Sequence, residues 1–458
     1  MKRSETLWSS SAGPDPRMLA YTVGDDRVAD ARLLSWDVIG SLGHLEALAG
    51  GGIISAREHG RMRRALQAAL DAAKSGALRI EARHEDVHSA VEFWLTRHAG
   101  DVGERVHTGR SRNDQVALDL RLSLKDEALS LHARMIALAE VLLAFGRQHR
   151  AVVWPGYTHH RIAMPSSAGL WAAAYAEGIL DAADGIAGFW PRLDRSPLGS
   201  AAGYGVPLPL DREAAARALG FAGVDQVVTT TQNARGQIEG AVLFWCLGAA
   251  QECAKLSTDV IQFSAAEAGW VVLPPRWATG SSIMPHKRNP DLFELTRART
   301  ALIEGDLAAV LALRSKLAGG YHRDFQLLKG PLWRGVDLTR EMLDILAAAI
   351  PELGVNVARG DAALVNDVFA TDEVMRRVSA GAPFRRAYHE VATASARGEI
   401  FPRPSARALA AKRTSTGGMG NIPWRALAAR ARAARRWGEG ERRRFQGALD
   451  RLCGRKRR

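Results

Sequence analysis

The feature that most limits how this chain can fold is a long stretch without helix breakers. From Asp114 to Arg150 the sequence contains no proline, and its first glycine is Gly146. Proline and glycine are the residues that interrupt helices, so at 3.6 residues per turn this stretch predicts one helix of roughly ten turns. Similar helical spacing covers residues 166–190, 236–268, 290–317 and 332–350. Five long helices indicate an all-α protein built around an elongated bundle.

Shorter helical patterns flank the long ones, and strand patterns such as "AVVW" and "WVVL" are short and isolated. We therefore predict three domains: an N-terminal helical domain over residues 1–106, a central long-helix bundle over 107–355, and a small C-terminal helical domain with a basic tail over 356–458. The segment "GAVLFWCLGAA" is apolar on more than one face. A lone exposed helix would not tolerate that pattern, so we expect partner chains to cover part of the bundle.

Composition favours a globular protein of the cytoplasm. The chain has 458 residues, 47% of them hydrophobic, which is enough for a sizeable core. The sequence shows neither a run of about 18 uncharged apolar residues nor an apolar stretch behind its basic start, so we expect no membrane span and no signal peptide. Cys246 and Cys253 lie within a helical pattern, which argues against a disulfide framework or a cysteine metal site.

The net charge of +13 is concentrated in a C-terminal tail. Residues 425–458 contain 13 Lys and Arg against 3 Asp and Glu, a net of +10, which leaves +3 for the rest of the chain. Such a tail could bind nucleic-acid phosphates or an acidic surface. It lacks the interleaved aromatic residues of a single-strand binder, so we interpret it as a solvated helix with a frayed end and regard nucleic-acid binding as the less favoured alternative.

Reactive side chains are concentrated in the joints between the long helices. These joints are "VHTGRSRNDQ" (106–115), "WPGYTHHR" (154–161), "QNARGQIEG" (232–240), "TGSSIMPHKRNPD" (279–291) and "GGYHRDFQLLKG" (319–330). A connector needs glycine, proline, asparagine or serine, but it does not need histidine, arginine, lysine and tyrosine as well. The concentration predicts a functional site.

The loop over residues 279–291 has the composition of an anion-binding loop. Asn289, Pro290 and Asp291 predict a helix start with Asn289 as its cap. The free amides of a helix start, together with Lys287, could hold a carboxylate. Ser281 lies where a base would be required, and a positive, water-excluded environment would stabilise its alkoxide. The alternative is a flexible Gly-Ser-Ser hinge without a chemical role.

Two histidine-containing stretches also bear on the chemistry. In "PGYTHH", His159 lies in a tight turn that would present its imidazole outward, so we interpret it as a general acid or base. The stretch "HEDVH", from His84 to His88, matches the H-E-x-x-H pattern of zinc peptidases. Such short patterns arise by chance, and no downstream context supplies a third ligand. We therefore disfavour a zinc site.

With these stretches assembled, the sequence resembles the argininosuccinate lyase family of the fumarase/aspartase superfamily over roughly residues 15–420. "GSSIMPHKRNPD" is similar to the signature loop of the superfamily. Members of this superfamily remove a proton from the carbon next to a carboxylate and expel a group from the neighbouring carbon. "HTGRSRNDQ" is typical of the argininosuccinate branch, as are "YHRDFQLLK", "EDVH", "PLGSAAGYG" and "ATDEVMRRVSAGAPFRRAYH".

The resemblance implies a role for each matching residue. It implies that Ser281 takes a proton from the succinyl β-carbon, and that Lys287 and Asn289 steady the carbanion and its carboxylate. It implies that His159 lies near the guanidinium leaving group and is oriented by Glu294 of a neighbouring subunit. Which of His159 and Ser281 is the acid and which the base stays open. The residues that resemble substrate ligands are Thr158, Arg112, Asn113, Arg235, Tyr321, Gln326, Lys329 and, again, Asn289.

The resemblance also implies a fold, an assembly and a reaction. The fold is the three-domain fumarase/aspartase-like one, in which the long helices of four subunits form a 20-helix core and each site of the homotetramer draws on three subunits. The reaction is the β-elimination of argininosuccinate to arginine and fumarate, the last step of arginine biosynthesis, without metal or organic cofactor.

Two departures from the family pattern leave other functions open. Many members have a serine where this chain has Gly24, at the end of "YTVG", so one substrate contact is missing or differently supplied. His160 and Arg161 replace an apolar residue and a glutamine, which adds a cation close to His159. The alternatives are a sibling lyase acting on another succinyl adduct, and a catalytically silent structural or binding protein on the same scaffold.

Overall fold

The computed structural model describes residues 15–454, except for the side chain of Val102. The expectations about residues 1–14, and about the last four residues of the basic tail, lie outside the described part. The all-α prediction is confirmed. Before the long helices lie α1 (Pro16–Val23), α2 (Asp26–Asp30), α3 (Leu34–Gly50), α4 (Ala56–Ser75), α5 (Val87–Ala99) and α6 (Asp101–Arg105).

The central part contains α7 (Arg112–Gln148), α8 (Ala168–Asp184), α9 (Trp190–Leu193), α10 (Arg212–Ala218), α11 (Thr230–Asn233), α12 (Gln237–Ser264), α13 (Asp291–Ser315) and α14 (Lys329–Ala349). The C-terminal part contains α15 (Val357–Ala362), α16 (Ala370–Ser379), α17 (Phe384–Ala396), α18 (Ala406–Lys412) and α19 (Trp424–Leu452). The five predicted long helices are therefore present as α7, α8, α12, α13 and α14, with shifted ends.

The described residues also form three two-stranded sheets. An antiparallel hairpin joins β1 (Val153–Thr158) to β2 (Arg161–Ser167), a parallel pair joins β3 (Arg195–Ser196) to β4 (Gly223–Val224), and an antiparallel pair joins β5 (Val271–Val272) to β6 (Gly354–Val355). The run "AVVW" is thus part of a hairpin and is not isolated, because residues 161–167 supply its partner strand.

The central helix α7 begins with a complete cap. The Ser111 hydroxyl accepts the Asn113 N–H at 3.2 Å, and the Asp114 carboxylate accepts the Ser111 N–H at 2.9 Å. Asp114 is fully buried, and its other oxygen accepts the N–H groups of Gly199 and Ala201 at 3.0 and 2.9 Å. One carboxylate therefore caps the start of α7 and fixes the neighbouring loop against it.

By length and composition α7 could cross a membrane. Its apolar side chains, among them Leu131, Met135, Leu138 and Leu142, are instead buried in the main core of this chain. This core also holds much of α8, α12 and α14. The arrangement is that of a central bundle helix, which passes the same length and composition test as a membrane span.

The basic tail is a packed structural helix over its described length. Buried Leu427 and Ala431 of α19 join the main core, whereas Phe445 and Leu449 join the core of the N-terminal helices. Four of its arginines, Arg430, Arg435, Arg442 and Arg444, form ion pairs with carboxylates of the central part. Buried apolar residues of α16, α17 and α18, with residues of the neighbouring loops, form a separate small core. The division into three domains stays a proposal.

Lys125 of α7 connects the bundle to the tail helix. Its side chain is fully buried and pairs with Asp194, and its ammonium donates to the Gly220 carbonyl at 2.8 Å. The nitrogen also lies 4.5 and 4.6 Å from the ring centroids of Phe221 and Phe445, the latter in α19. Burial outweighs these partners and lowers the pKa of Lys125 to about 8.

We expect Lys125→Ala to lower the free energy of unfolding by about 3 kcal/mol, because removing one member of a buried ion pair leaves the other less compensated. Scanning calorimetry would show this as a lower melting temperature. The matched control is Lys255→Ala, since the Lys255 side chain is 70% exposed, and we expect it to change stability by less than about 0.5 kcal/mol. Equal melting temperatures for the two variants would contradict the structural role of Lys125.

Candidate active site

A cavity of about 460 Å³ lies where the N-terminal helices meet the starts of α7 and α14. Its walls come from α1, α2, the segment before α5, the start of α7, and the joint before α14. The lining residues are Val23, Asp26, Asp30, Glu85, Asp86, His88, His107, Arg110, Ser111, Arg112, Asn113, Val116, Arg235, Tyr321, Arg323, Gln326 and Lys329. The cavity is thus lined mainly by charged and hydrogen-bonding side chains.

Most of the predicted substrate ligands meet in this cavity. They come from three joints that are far apart in the sequence: the start of α7, the turn before α12, and the 3-10 segment Arg323–Leu328 with its flanks. The residues brought together are Arg112, Asn113, Arg235, Tyr321, Gln326 and Lys329. A roomy polar cavity of this kind is the expected form of a small-molecule site.

The joint before α14 is tied to the N-terminal helix α1. The Gln326 side-chain amide donates to the carbonyls of Thr22 and Val23 at 2.9 and 3.1 Å. Arg323 also donates to the Thr22 carbonyl, at 3.1 Å. These contacts hold the 321–329 joint against the end of α1, so that Gln326 and its neighbours form one wall of the cavity.

Arg112 faces two carboxylates in the same cavity. One guanidinium nitrogen of Arg112 lies 3.0 Å from Glu85 Oε2 and 3.0 Å from Asp86 Oδ2. Buried Arg235 pairs in the same way with Glu239, at 3.2 Å. Both arginines were predicted to be substrate ligands, and both already have an internal carboxylate partner. A substrate would have to compete with or rearrange these pairs.

Lys329 is held between two carboxylates of α2. Its ammonium lies 2.5 Å from Asp26 and 2.5 Å from Asp30. Burial disfavours the charged form, but Asp30 and Asp26 outweigh it and raise the pKa of Lys329. The lysine therefore stays charged in a buried position.

Sequence reasoning missed the acidic wall formed by Asp26 and Asp30. Gly24, where a substrate contact was expected to be missing or differently supplied, ends α1 with φ +49° and does not line the cavity, whereas Val23 and Asp26 do. Asp26 and Asp30 are four residues apart and so share one face of a helix. That spacing in "DDRVAD" was the available signal.

The pattern "HEDVH" does not form the arrangement of a zinc peptidase. His84 lies before α5 and His88 lies in its first turn, so the two histidines are not on one helix. His88 is hydrogen-bonded through Nδ1 to Asp37. Burial opposes the charge on His88, but Asp37 outweighs it and raises its pKa. Asp37, His88 and Asp119 are buried, and their candidate ligand atoms lie within 4.8 Å of one another. We interpret these three residues as a charged, hydrogen-bonded group and not as a metal site.

The predicted acid/base histidine lies at the tip of the β1–β2 hairpin. Thr158 pairs with Arg161, so His159 and His160 form the two-residue turn. Their φ angles are 53° and 55°, the left-handed conformation that such tight hairpin turns require. Non-glycine residues in this conformation are uncommon and are enriched at functional sites. Thr158 and His159 are exposed and are not among the cavity-lining residues.

The predicted signature loop is also exposed. Its two ends are joined by backbone hydrogen bonds between Thr279 and Asn289, at 3.1 and 2.9 Å. The prediction that Asn289 caps α13 is wrong: Pro290 occupies the cap position, and the Asn289 amide donates to the Gly280 carbonyl at 3.2 Å. The backbone and side chain of Asn289 are therefore hydrogen-bonded to the other end of the loop, and they do not cap α13.

Within the loop, the Ser281 hydroxyl accepts the backbone N–H groups of Met284 and Ile283 at 3.1 and 3.4 Å. Such amides stabilise negative charge on the oxygen. Lys287 and Glu294 are exposed. Like Ser281 and Asn289, neither lines the cavity. One chain thus presents most of the predicted substrate ligands in the cavity, whereas Thr158, Asn289 and the predicted catalytic groups lie in the hairpin and in the loop with its following helix.

The comparisons with known proteins identify the family of this chain. A family model described as "Lyase" matches residues 18–305. An argininosuccinate lyase of Sorangium cellulosum is 40% identical over 93% of this chain and 98% of its own length. One of Parabacteroides distasonis is 38% identical over 92% of this chain and 93% of its own.

The fold has solved counterparts. A structure of EDDS lyase in complex with formate superimposes with a TM-score of 0.79 at 22% identity, covering 96% of this chain and 95% of the other. At this identity the likeness shows the fold alone, and it is that of a fumarase/aspartase superfamily lyase. Together with the sequence identity over nearly the whole length, these findings establish that the chain belongs to the argininosuccinate lyase family.

Proposed function

We propose that this protein catalyses the β-elimination of argininosuccinate to L-arginine and fumarate, as a step of arginine biosynthesis. The observation that carries the proposal is the cavity, which gathers Arg112, Asn113, Tyr321, Gln326 and Lys329 from distant joints. These side chains suit a substrate that carries carboxylates and a guanidinium group. We also propose a cytoplasmic location.

The reaction removes a proton from the succinyl β-carbon and expels the guanidinium nitrogen from the adjacent carbon. In the proposed assignment, Ser281 takes the proton, because amides of Met284 and Ile283 support negative charge on its oxygen. Lys287 and Asn289 stabilise the carboxylate as it gains charge. His159 supplies a proton to the leaving guanidine. The reverse assignment of acid and base to His159 and Ser281 is the alternative.

We propose that the site is completed between subunits of a homotetramer, with each site drawing on three chains. His159 is exposed, Ser281 is partly exposed in its loop, and both lie outside the cavity, which supports this sharing. In this assembly Glu294 of a neighbouring subunit orients His159. The long helices also expose large apolar side chains, namely Phe244 at 70%, Leu295 at 58% and Leu302 at 53%. Their burial would accompany formation of the proposed 20-helix core.

No metal, organic cofactor or nucleic acid enters this proposal. The catalytic steps use side chains only, and four arginines of α19 are engaged with carboxylates of the same chain. Deleting the tail would remove buried Leu427, Phe445 and Leu449, so a test of nucleic-acid binding needs charge substitutions and not a truncation.

A sibling lyase acting on another succinyl adduct stays the nearest alternative, and a catalytically silent scaffold protein is the more distant one.

We expect Ser281→Ala to reduce the release of fumarate from argininosuccinate by about a hundredfold or more, the usual cost of losing a general base. The ultraviolet absorbance of fumarate follows the reaction. Ser282→Ala is the matched control, since Ser282 is its neighbour in the same exposed loop, and we expect it to retain most activity. Equal activity of the Ser281 variant and wild type would reject Ser281 as the base. If wild type releases fumarate only from another succinyl adduct, the sibling reaction replaces our proposal.

We expect prolonged dialysis against a metal chelator to leave fumarate release within about twofold of the untreated enzyme, because acid/base side chains carry the proposed steps. Elemental analysis of the same samples measures bound metal. Loss of activity on dialysis, with recovery on adding zinc, would contradict the mechanism and point to His88 and its carboxylate neighbours.

A further inference from the structure

Asp26 carries a negative charge that the protein itself does not balance. It begins α2 and faces the cavity, with 11% of its side chain exposed. Its ion-pair partner is the Lys329 ammonium, 2.5 Å from Asp26 Oδ1. That ammonium also lies 2.5 Å from Asp30 Oδ1. One positive charge therefore faces two carboxylates, and the group of three has a net charge of −1 when all are ionised.

Asp30 has a second structural contact besides its ion pair with Lys329. Its side chain is 2% exposed, and its second oxygen accepts the Val87 N–H at 3.2 Å. Asp30 thus joins α2 to both α14 and α5, as a structural carboxylate does. Among residues 15–454, Lys329 is the ion-pair partner of Asp26, and no other cation pairs with it. Both carboxylates line the cavity, and that of Asp26 is the more exposed of the two.

The nearby cations do not balance Asp26 either. Arg112 is engaged by Glu85 and Asp86 at 3.0 Å, and Arg323 lies 3.4 Å from Glu85. Burial, reinforced by Asp30 and opposed by Lys329, raises the pKa of Asp26 to about 6. A carboxylate in such a place gains from a cationic ligand and repels an anionic one.

We propose that Asp26 is a specificity-determining residue that binds the α-ammonium group of the amine half of the substrate. The inference rests on the proposed function. Argininosuccinate carries this ammonium at the far end of its arginine half, away from the succinyl group that must reach Ser281 and Lys287. Asp26 therefore selects adducts of amines with a second cationic centre, and it disfavours those with only a carboxylate at that end.

The test measures the binding of three ligands to the full-length protein by titration calorimetry. The ligands are L-arginine, the arginine analogue that lacks the α-amino group, and agmatine, which keeps an amino group and lacks the carboxylate. In wild type we expect removal of the amino group to weaken binding by about tenfold or more, as for loss of a hydrogen bond to a charged group. In Asp26→Asn and Asp26→Ser we expect this loss to shrink to about twofold.

Asp25→Asn is the matched control, because Asp25 precedes Asp26, is exposed and does not line the cavity. We expect it to keep the wild-type preference for the amino group. If removal of the amino group weakened binding equally in wild type and in both Asp26 variants, the inference would be overturned. Failure of wild type to bind L-arginine would also overturn it. If neither Asp26 variant folds, the wild-type comparison decides: agmatine should bind more tightly than the analogue without the amino group, and the reverse order would contradict the role of Asp26.

Turnover distinguishes this inference from the proposed function. If wild type converts argininosuccinate, but removing the amino group of the ligand costs the same affinity with and without Asp26, the proposed reaction stands and the role of Asp26 fails. If the preference for the amino group depends on Asp26 but argininosuccinate is not converted, the ammonium site stands and the proposed reaction fails.

Discussion

The structure depends on burying one long helix, α7, on nearly all sides. A helix can be buried in this way because its backbone groups are hydrogen-bonded internally, except at its ends. At the start of α7 the buried Asp114 resolves that problem by accepting from Ser111, Gly199 and Ala201 at once. This cap fixes Arg112 and Asn113 at the edge of the cavity. The residues that cap the start of the core helix therefore also position the first residues of the candidate site.

Around the cavity, buried charge is the second constraint. Lys329, Arg112 and Arg235 are each placed against carboxylates of the same chain. Buried ions without partners are costly, so a site meant to bind a multiply charged substrate has to hold its own charges in balance before the substrate arrives. The balance is not complete, and the unbalanced carboxylate lies beside Lys329, on the wall formed by α2.

Sequence could predict the parts of this structure that depend on local chemistry. The lack of helix breakers was sufficient for α7, and helical spacing was sufficient for the other long helices. The joints rich in reactive side chains indicated a functional site, whereas the individual cavity residues Asn113, Tyr321 and Gln326 were implied only by the family resemblance. The cap of α13 was predicted wrongly, since Asn289 is engaged by Thr279 across the loop. The packing of α19 was also not predictable, because its arginines find Asp181, Asp184 and Glu140 only in the folded chain. These outcomes depend on long-range contacts that no local pattern contains.

The central claim is that the cavity of one subunit is completed by catalytic groups of others. Two variants test it together: Asn113→Ala, which removes a cavity residue, and Ser281→Ala, which removes the proposed base. Each alone should release little fumarate from argininosuccinate. Co-expression of the two should form mixed tetramers in which some sites contain neither substitution, and fumarate release should return. Mixed tetramers, verified by differential tags, that remain as inactive as either parent would contradict a site shared between subunits.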